Sequence, residues 1–192
     1  MHHGIFWRGQ PQAIDAAMHK RLRLLFDNDI ALAAYHLPLD AHPEHGNNAL
    51  IAEGLGAVDR APFAMHHGRP IGVRATFPGD GLAADELVRR VRELTGGRAP
   101  LHIAAGPDRV RRIGIVSGAG TDYLHEAVAA GLDCLLTGEP SERAYGIARD
   151  NAVRFIAAGH HATETFGVHR LGKLLAAELG VRHVALDVPN PI

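Results

Sequence analysis

The chain has 192 residues, a hydrophobic fraction of 46% and a formal net charge of −1 with histidine neutral. That length can bury the core of one large domain or two small ones. The near-neutral charge supplies no global field to draw the chain onto nucleic acid or an anionic membrane, and neither is expected as a partner. Cys134 is the single cysteine, which excludes an intrachain disulfide and suits a cytoplasmic location. The longest apolar stretch, IALAAYHLPL, is too short for a bilayer and is interrupted by His36 and Pro38. No basic segment followed by an apolar core opens the chain, so no signal peptide is read. Histidine is the outlier, with 14 copies that cluster at His2–His3, His36–His45, His66–His67 and His160–His161.

Pro11 to Phe26 reads as an amphipathic helix, with Ile14, Met18, Leu22, Leu25 and Phe26 at helical spacing and Asn28 ending it. IALAAY follows as a strand covered on both faces. Pro38 and Pro43 argue against regular helix in HLPLDAHPEHGNN, which puts Asp40 on a loop just past that strand. Asn47 or Asn48 caps a helix through about Leu55, closed by Gly56. Residues 57–80 are turn-rich, with strand-like pieces such as IGVRATF. LAADELVRRVREL is a second amphipathic helix, stopped by Gly96 and Gly97. Thereafter strands (LHIAAG, RRIGIVSG, DCLLTG, VRFIAAG, VRHVALDV) alternate with helices (TDYLHEAVAAG, SERAYGIARDN, TETFGVHRLGKLLAAELG). Strands alternating with helices predict an α/β layered fold with crossover connections.

In such folds ligands gather beyond the carboxyl ends of strands. YHLPLD and GHHATE occupy such places. A helix beginning near His160 puts His160 and Glu164 on one face at i, i+4. Imidazole and carboxylate are ligands for zinc, manganese, iron or nickel. Asp40 adds a carboxylate, and His2 and His3 add two imidazoles. Such a set exceeds a closed tetrahedral site and suits two divalent ions sharing a water, with Glu164 or Asp40 bridging. The same residues also read as an ordinary helix start, with Thr163 and Glu164 as capping material. His66–His67 is read as surface histidine, and the runs RRVREL and DRVRRIG as solvated faces. VSGAGTD is a tight strand-to-helix turn or a phosphate cradle. Glu139 in LTGEP is either a support beside the metals or a helix-start residue. Cys134 is read as a buried, inert thiol.

HHGIFW, YHLPLD with GNNALIAEGLG, VSGAGTDYLHEA, LLTGE and AAGHHATETFGVHRLGKLL occur in this order over nearly the whole chain. This pattern resembles the NIF-three-like family, whose members are labelled GTP cyclohydrolase 1 type 2 homologues. The resemblance implies a toroidal homohexamer with a dinuclear metal centre. It implies two similar, intertwined three-layer α/β/α lobes with mixed sheets, here over residues 1–100 and 101–192. By matching motifs, His2, His3, Asp40, His160 and Glu164 become the ligands of two divalent ions. His36 falls beside the metals as a proton carrier or substrate contact, and His161 is not carried over. Relatives carry a strand and a helix before HHG, so the first lobe is expected to be N-terminally truncated, with His2 and His3 on a fraying end. The function so implied is a metal-dependent hydrolase acting on a cyclic amide, imine or nucleotide-like small molecule. The alternative is a non-enzymatic metal-binding or scaffold protein.

Overall fold

The computed structural model describes residues 1–6, 13–188 and 190. The chain divides into two compact units, Met1–His36 and Leu37–Ile192.

In the first unit, helix α1 spans Ala16–Asp27. It begins later than periodicity predicts, because the Asp15 carboxylate accepts the Met18 N–H at 2.7 Å and so sets the N-cap. The expected start at Pro11 and the residue Trp7 lie outside the described residues. Asn28 ends the helix, its side-chain amide donating to the Leu24 carbonyl at 2.9 Å. IALAAY is not a strand: Ile30–Tyr35 is exposed and carries no ladder. Among its backbone bonds, Ile30 N–H donates to Leu25 O at 2.9 Å, and Met1 donates its ammonium to Ala33 O at 2.9 Å and accepts Tyr35 N–H at 3.4 Å.

The second unit is an α/β fold built on a six-stranded mixed sheet. Its strands are β1 (Val58–His66), β2 (Arg69–Thr76), β4 (Leu101–Ile103), β6 (Arg112–Val116), β7 (Cys134–Thr137) and β8 (Arg154–Ala157), in the order β1-β2-β6-β7-β8-β4. β6, β7 and β8 are parallel; the β1–β2 hairpin and β4 flank them antiparallel. β3 (Leu82–Ala83) and β5 (Arg109–Val110) form a separate short pair.

The continuous apolar runs of the parallel strands split by period two. Ile113, Ile115, Cys134, Leu136 and Ile156 pack with Ile51 and Leu55 of α3 (Asn47–Leu55) and with Leu87 and Val91 of α4 (Ala84–Leu94). Val116, Leu135 and Phe155 face the other way, onto Leu124 and Ala127 of α5 (Leu124–Ala129) and Ala144 and Ala148 of α6 (Arg143–Asp150). This unit is therefore three-layered, with both sheet faces covered.

Three local expectations need correction. Asp40 is not on a loop but closes a single helical turn, α2 (Leu37–Asp40). Pro38 fits there because the first turn of a helix needs no N–H donor. Neither Asn47 nor Asn48 caps α3. Gly46 does, and a Cβ on it would lie 2.4 Å from His42 O. VRHVALDV forms no strand, and Val181, Val184, Leu186 and Val188 are exposed. β propensity alone does not hold a strand without a ladder partner.

Candidate functional site

The register levels the three parallel strands at their carboxyl ends, with Val116 opposite Thr137 and Thr137 opposite Ala157. The chain after each strand therefore contributes to one rim: Ser117–Gly118, Gly138–Glu139, and Ala158 to His160. Backbone bonds lock the three turns together. Gly138 N–H and Glu139 N–H donate to Gly118 O at 2.9 Å, and Gly159 N–H to Gly138 O at 2.9 Å. Thr163 Oγ accepts Gly118 N–H at 3.0 Å, and Thr137 Oγ accepts Gly120 N–H at 2.9 Å. Those two amides are spent inside the protein, so VSGAGTD is a tight turn here and not a phosphate cradle.

His160 opens the one-turn helix α7 (His160–Thr163) and Glu164 follows it. His160 Nε2 lies 3.0 Å from Glu164 Oε2, and His160 Nδ1 lies 2.5 Å from Glu139 Oε1. The imidazole thus stands between two carboxylates, of which Glu164 is buried. The hydrogen bond to Glu164, opposed by burial and aided by the charges of Glu164 and Glu139, raises the His160 pKa to about 9. Gly118 makes room for the pair. It has φ +63°, and a Cβ there would sit 2.2 Å from Glu164 Oε1 and 3.1 Å from His160 Nε2.

Asp40 is held on the same rim. Its buried Oδ1 accepts Asn47 Nδ2–H at 2.7 Å and the Ser117 hydroxyl at 2.9 Å. Asn47 Oδ1 accepts Gly167 N–H at 2.7 Å, which ties the start of helix α8 (Phe166–Leu179) to Asp40. Asn48 takes Ser117 N–H at 2.7 Å and donates to Ile71 O at 2.7 Å and Asp40 O at 3.3 Å. Both asparagines are fully buried. Their amides act as brackets joining α2, α8, β2 and the end of β6.

In the Met1–His36 unit, His2, His3 and His36 form an imidazole cluster. Ring centroids are 5.1 Å apart for His2–His3, 5.2 Å for His2–His36 and 5.0 Å for His3–His36. Each offers a ring nitrogen within 4.8 Å of the others. His36, placed beside the metals by its motif, sits here with the histidine pair.

The sequence model of DUF34/NIF3 (NGG1p interacting factor 3) matches residues 1–191. The chain belongs to that family. It is 43% identical over 191 residues to a GTP cyclohydrolase 1 type 2 homolog of Pseudomonas aeruginosa, covering 100% of this chain and 75% of that one. It is 41% identical over 190 residues to the protein of the same description from Deinococcus radiodurans, covering 99% and 71%. Among solved structures it is similar to protein ybgI, described as of unknown function, with TM-score 0.91, 36% identity and coverage of 100% and 75%. It is also similar to TTHA1606 of Thermus thermophilus, with TM-score 0.88, 39% identity and coverage of 100% and 74%.

The donor chemistry of this family member, imidazole nitrogens and carboxylates, fits a divalent transition-metal ion. The first unit gathers imidazole nitrogens; the second sets the His160 imidazole and the buried Glu164 carboxylate beside a turn whose glycine leaves them room, with the buried Asp40 carboxylate held by Ser117. The residues singled out by spacing, His160 and Glu164, are in contact as expected. Glu139 bonds directly to His160. Ser117 and the bracket role of Asn47 and Asn48 were missed. Their only trace in the sequence is a doubled asparagine at a helix start that already has Gly46 as its cap. His66 accepts from or donates to the Tyr123 hydroxyl at 3.1 Å, at the β1–β2 hairpin. In RRVREL, Arg89 bridges Glu86 and Glu93, and Arg90 bonds Glu86, as befits a solvated helix face. Burial pushes the Cys134 thiol up to about 12, so it stays unreactive.

Proposed function

We propose that the chain is a metal-dependent hydrolase, with His2, His3, Asp40, His160 and Glu164 as ligands of two divalent ions. The observation that carries this reading is His160 held between Glu139 and Glu164 at the carboxyl rim of the sheet, with Gly118 cleared beside it. The relatives' description as GTP cyclohydrolase 1 type 2 homologs supports hydrolysis of a cyclic amide, imine or nucleotide-like substrate. Bound ions would supply Lewis-acid polarisation of a substrate oxygen and would lower the pKa of water.

The chain's own residues prepare the site. Glu139 accepts from Nδ1–H and so fixes the His160 tautomer and ring angle, leaving Nε2 on the side of Glu164. Asn47 and Ser117 orient the Asp40 carboxylate before any ligand arrives. Deprotonated His160 and the carboxylates are the ligand forms, so loading releases the proton His160 carries at neutral pH. His36, clustered with His2 and His3, is assigned the movement of protons at the reacting atom. The reading includes assembly as a homohexamer of chains with two lobes, 1–100 and 101–192.

Elemental analysis of the purified protein tests this. His160→Ala and Glu164→Ala should each lose most of the metal, whereas His161→Ala should keep it. Metal loss in His161→Ala with retention in His160→Ala would overturn the ligand assignment. Light scattering should give a mass near six subunits, and a monomer at micromolar concentration would refute the assembly. A hydrolysis screen over nucleotides and cyclic amides then separates an enzyme from a metal-binding scaffold.

A further inference from the structure

A cleft of about 1000 Å³ opens at the β4 edge of the sheet, lined among others by Leu101, His102, Ile103, Ser141, Tyr145 and Arg149. Its place in the topology is informative. β4 is the outermost strand, and Leu101 lies opposite Ala157 at the carboxyl end of β8, from which the chain runs directly to His160. Pro140, also in the lining, follows Glu139, whose carboxylate holds His160 Nδ1. The cleft thus lies between β4 and α6, and Pro140 in its wall is the chain neighbour of Glu139.

Its walls combine apolar surface with a few polar groups, as small-molecule sites do. Leu101, Ile103, Ala104, Ala105 and Pro140 supply the apolar part, and Glu142 places one carboxylate at the start of α6. Tyr145 and Arg149 stand one turn apart on α6, with Arg149 Nη1–H donating to the Tyr145 hydroxyl at 3.1 Å and its Cζ 5.5 Å from the ring centroid. That pair presents a flat aromatic and cationic surface with guanidinium donors to spare. Ser141 Oγ is buried and meets no hydrogen-bonding group of the described chain. His102 is held neutral: burial and the Arg154 charge lower its pKa. Arg154 Nη1 lies 3.3 Å from His102 Nε2, and because arginine only donates, Nε2 accepts and the proton sits on Nδ1.

We infer that this cleft is a binding site for a planar aromatic ring carrying an anionic group, the ring lying against Tyr145 and the anion taken by Arg149. That such a molecule is the substrate presented past Glu139 to His160 rests on the function proposed above; that the cleft binds it does not.

Naphthalene-2-carboxylate is the probe, titrated into metal-free protein and followed by amide chemical shifts. Saturable binding with Kd on the order of 1 mM is expected for a ligand of this size. The shifts should concentrate at Leu101–Ala105 and Ser141–Arg149. Cyclohexanecarboxylate and 2-naphthalenemethanol, which lack the flat ring and the charge respectively, should each bind about tenfold more weakly. Arg149→Ala should weaken the probe about tenfold and abolish its preference over 2-naphthalenemethanol. Tyr145→Ala should abolish its preference over cyclohexanecarboxylate. Both residues are exposed on the surface of α6, so the variants keep the fold, and a wild-type amide spectrum away from the cleft verifies it. Shifts that centre instead on residues 30–35 or 181–188, binding without saturation, or equal affinity for all three compounds would overturn the inference. Zinc titration of the same samples is read separately. Probe binding without zinc binding sinks the metal reading alone, and zinc binding without probe binding sinks the cleft alone.

Discussion

Removing either carboxylate beside His160 should change the pH dependence of stability in a defined order. In the metal-free protein the His160 pKa is raised from 6.5 to about 9, with the Glu164 hydrogen bond as the largest cause and Glu139 a smaller one. A group whose folded pKa lies above its unfolded value stabilises the fold fully below the unfolded pKa and loses that contribution as pH rises through the folded one. The window here is therefore pH 6.5 to 9. The shift corresponds to about 3 kcal/mol at most, reduced by the solvent that reaches the 24% exposed side chain.

Glu164→Gln should return most of this shift, whereas Glu139→Gln should lower the pKa by about one unit, the worth of one charge-assisted hydrogen bond. The assay is a histidine Cε1–H NMR titration in the presence of chelator, paired with urea unfolding at pH 6, 8 and 10. Wild type minus Glu164→Gln isolates the His160 contribution from other groups that titrate in alkali. Added zinc should reverse the slope, because the metal takes the neutral ring and binds more tightly as pH rises. A His160 titration near 6.5 in the wild type, or a larger effect from Glu139→Gln than from Glu164→Gln, would refute this reasoning.

Gly118→Ala should both strain the left-handed turn and drive a methyl group into the Glu164 carboxylate. We expect a loss of about 1–2 kcal/mol in urea unfolding and at least a tenfold loss of zinc affinity by titration. An unchanged variant would show that the rim is not tightly packed. Asn48→Ala leaves Ser117 N–H and Ile71 O buried without their partner, and should cost about 2–5 kcal/mol in urea unfolding. A cost below about 1 kcal/mol would mean that these groups find other partners.

The sequence by itself determined the parts of this protein that depend on local order. Continuous apolar runs alternating with amphipathic helices gave the α/β fold of the second unit. The four-residue spacing of His160 and Glu164 brought them within hydrogen-bonding distance because one turn of helix does so wherever it occurs. Motif order carried the family. Tertiary structure decided what depends on partners distant in the chain. Ile30–Tyr35 and Val181–Val188 have the composition of strands yet form none, since a strand exists only through a neighbour's ladder and composition cannot supply one. Glu139 is 21 positions from His160 and Asn48 is 69 from Ser117. Glu139 meets His160 because parallel strands in matched register bring separate turns to one rim, and Asn48 meets Ser117 because α3 packs on the sheet beside the end of β6. Gly118 matters for the space it leaves, and that space is defined only once Glu164, from another turn, has arrived beside it.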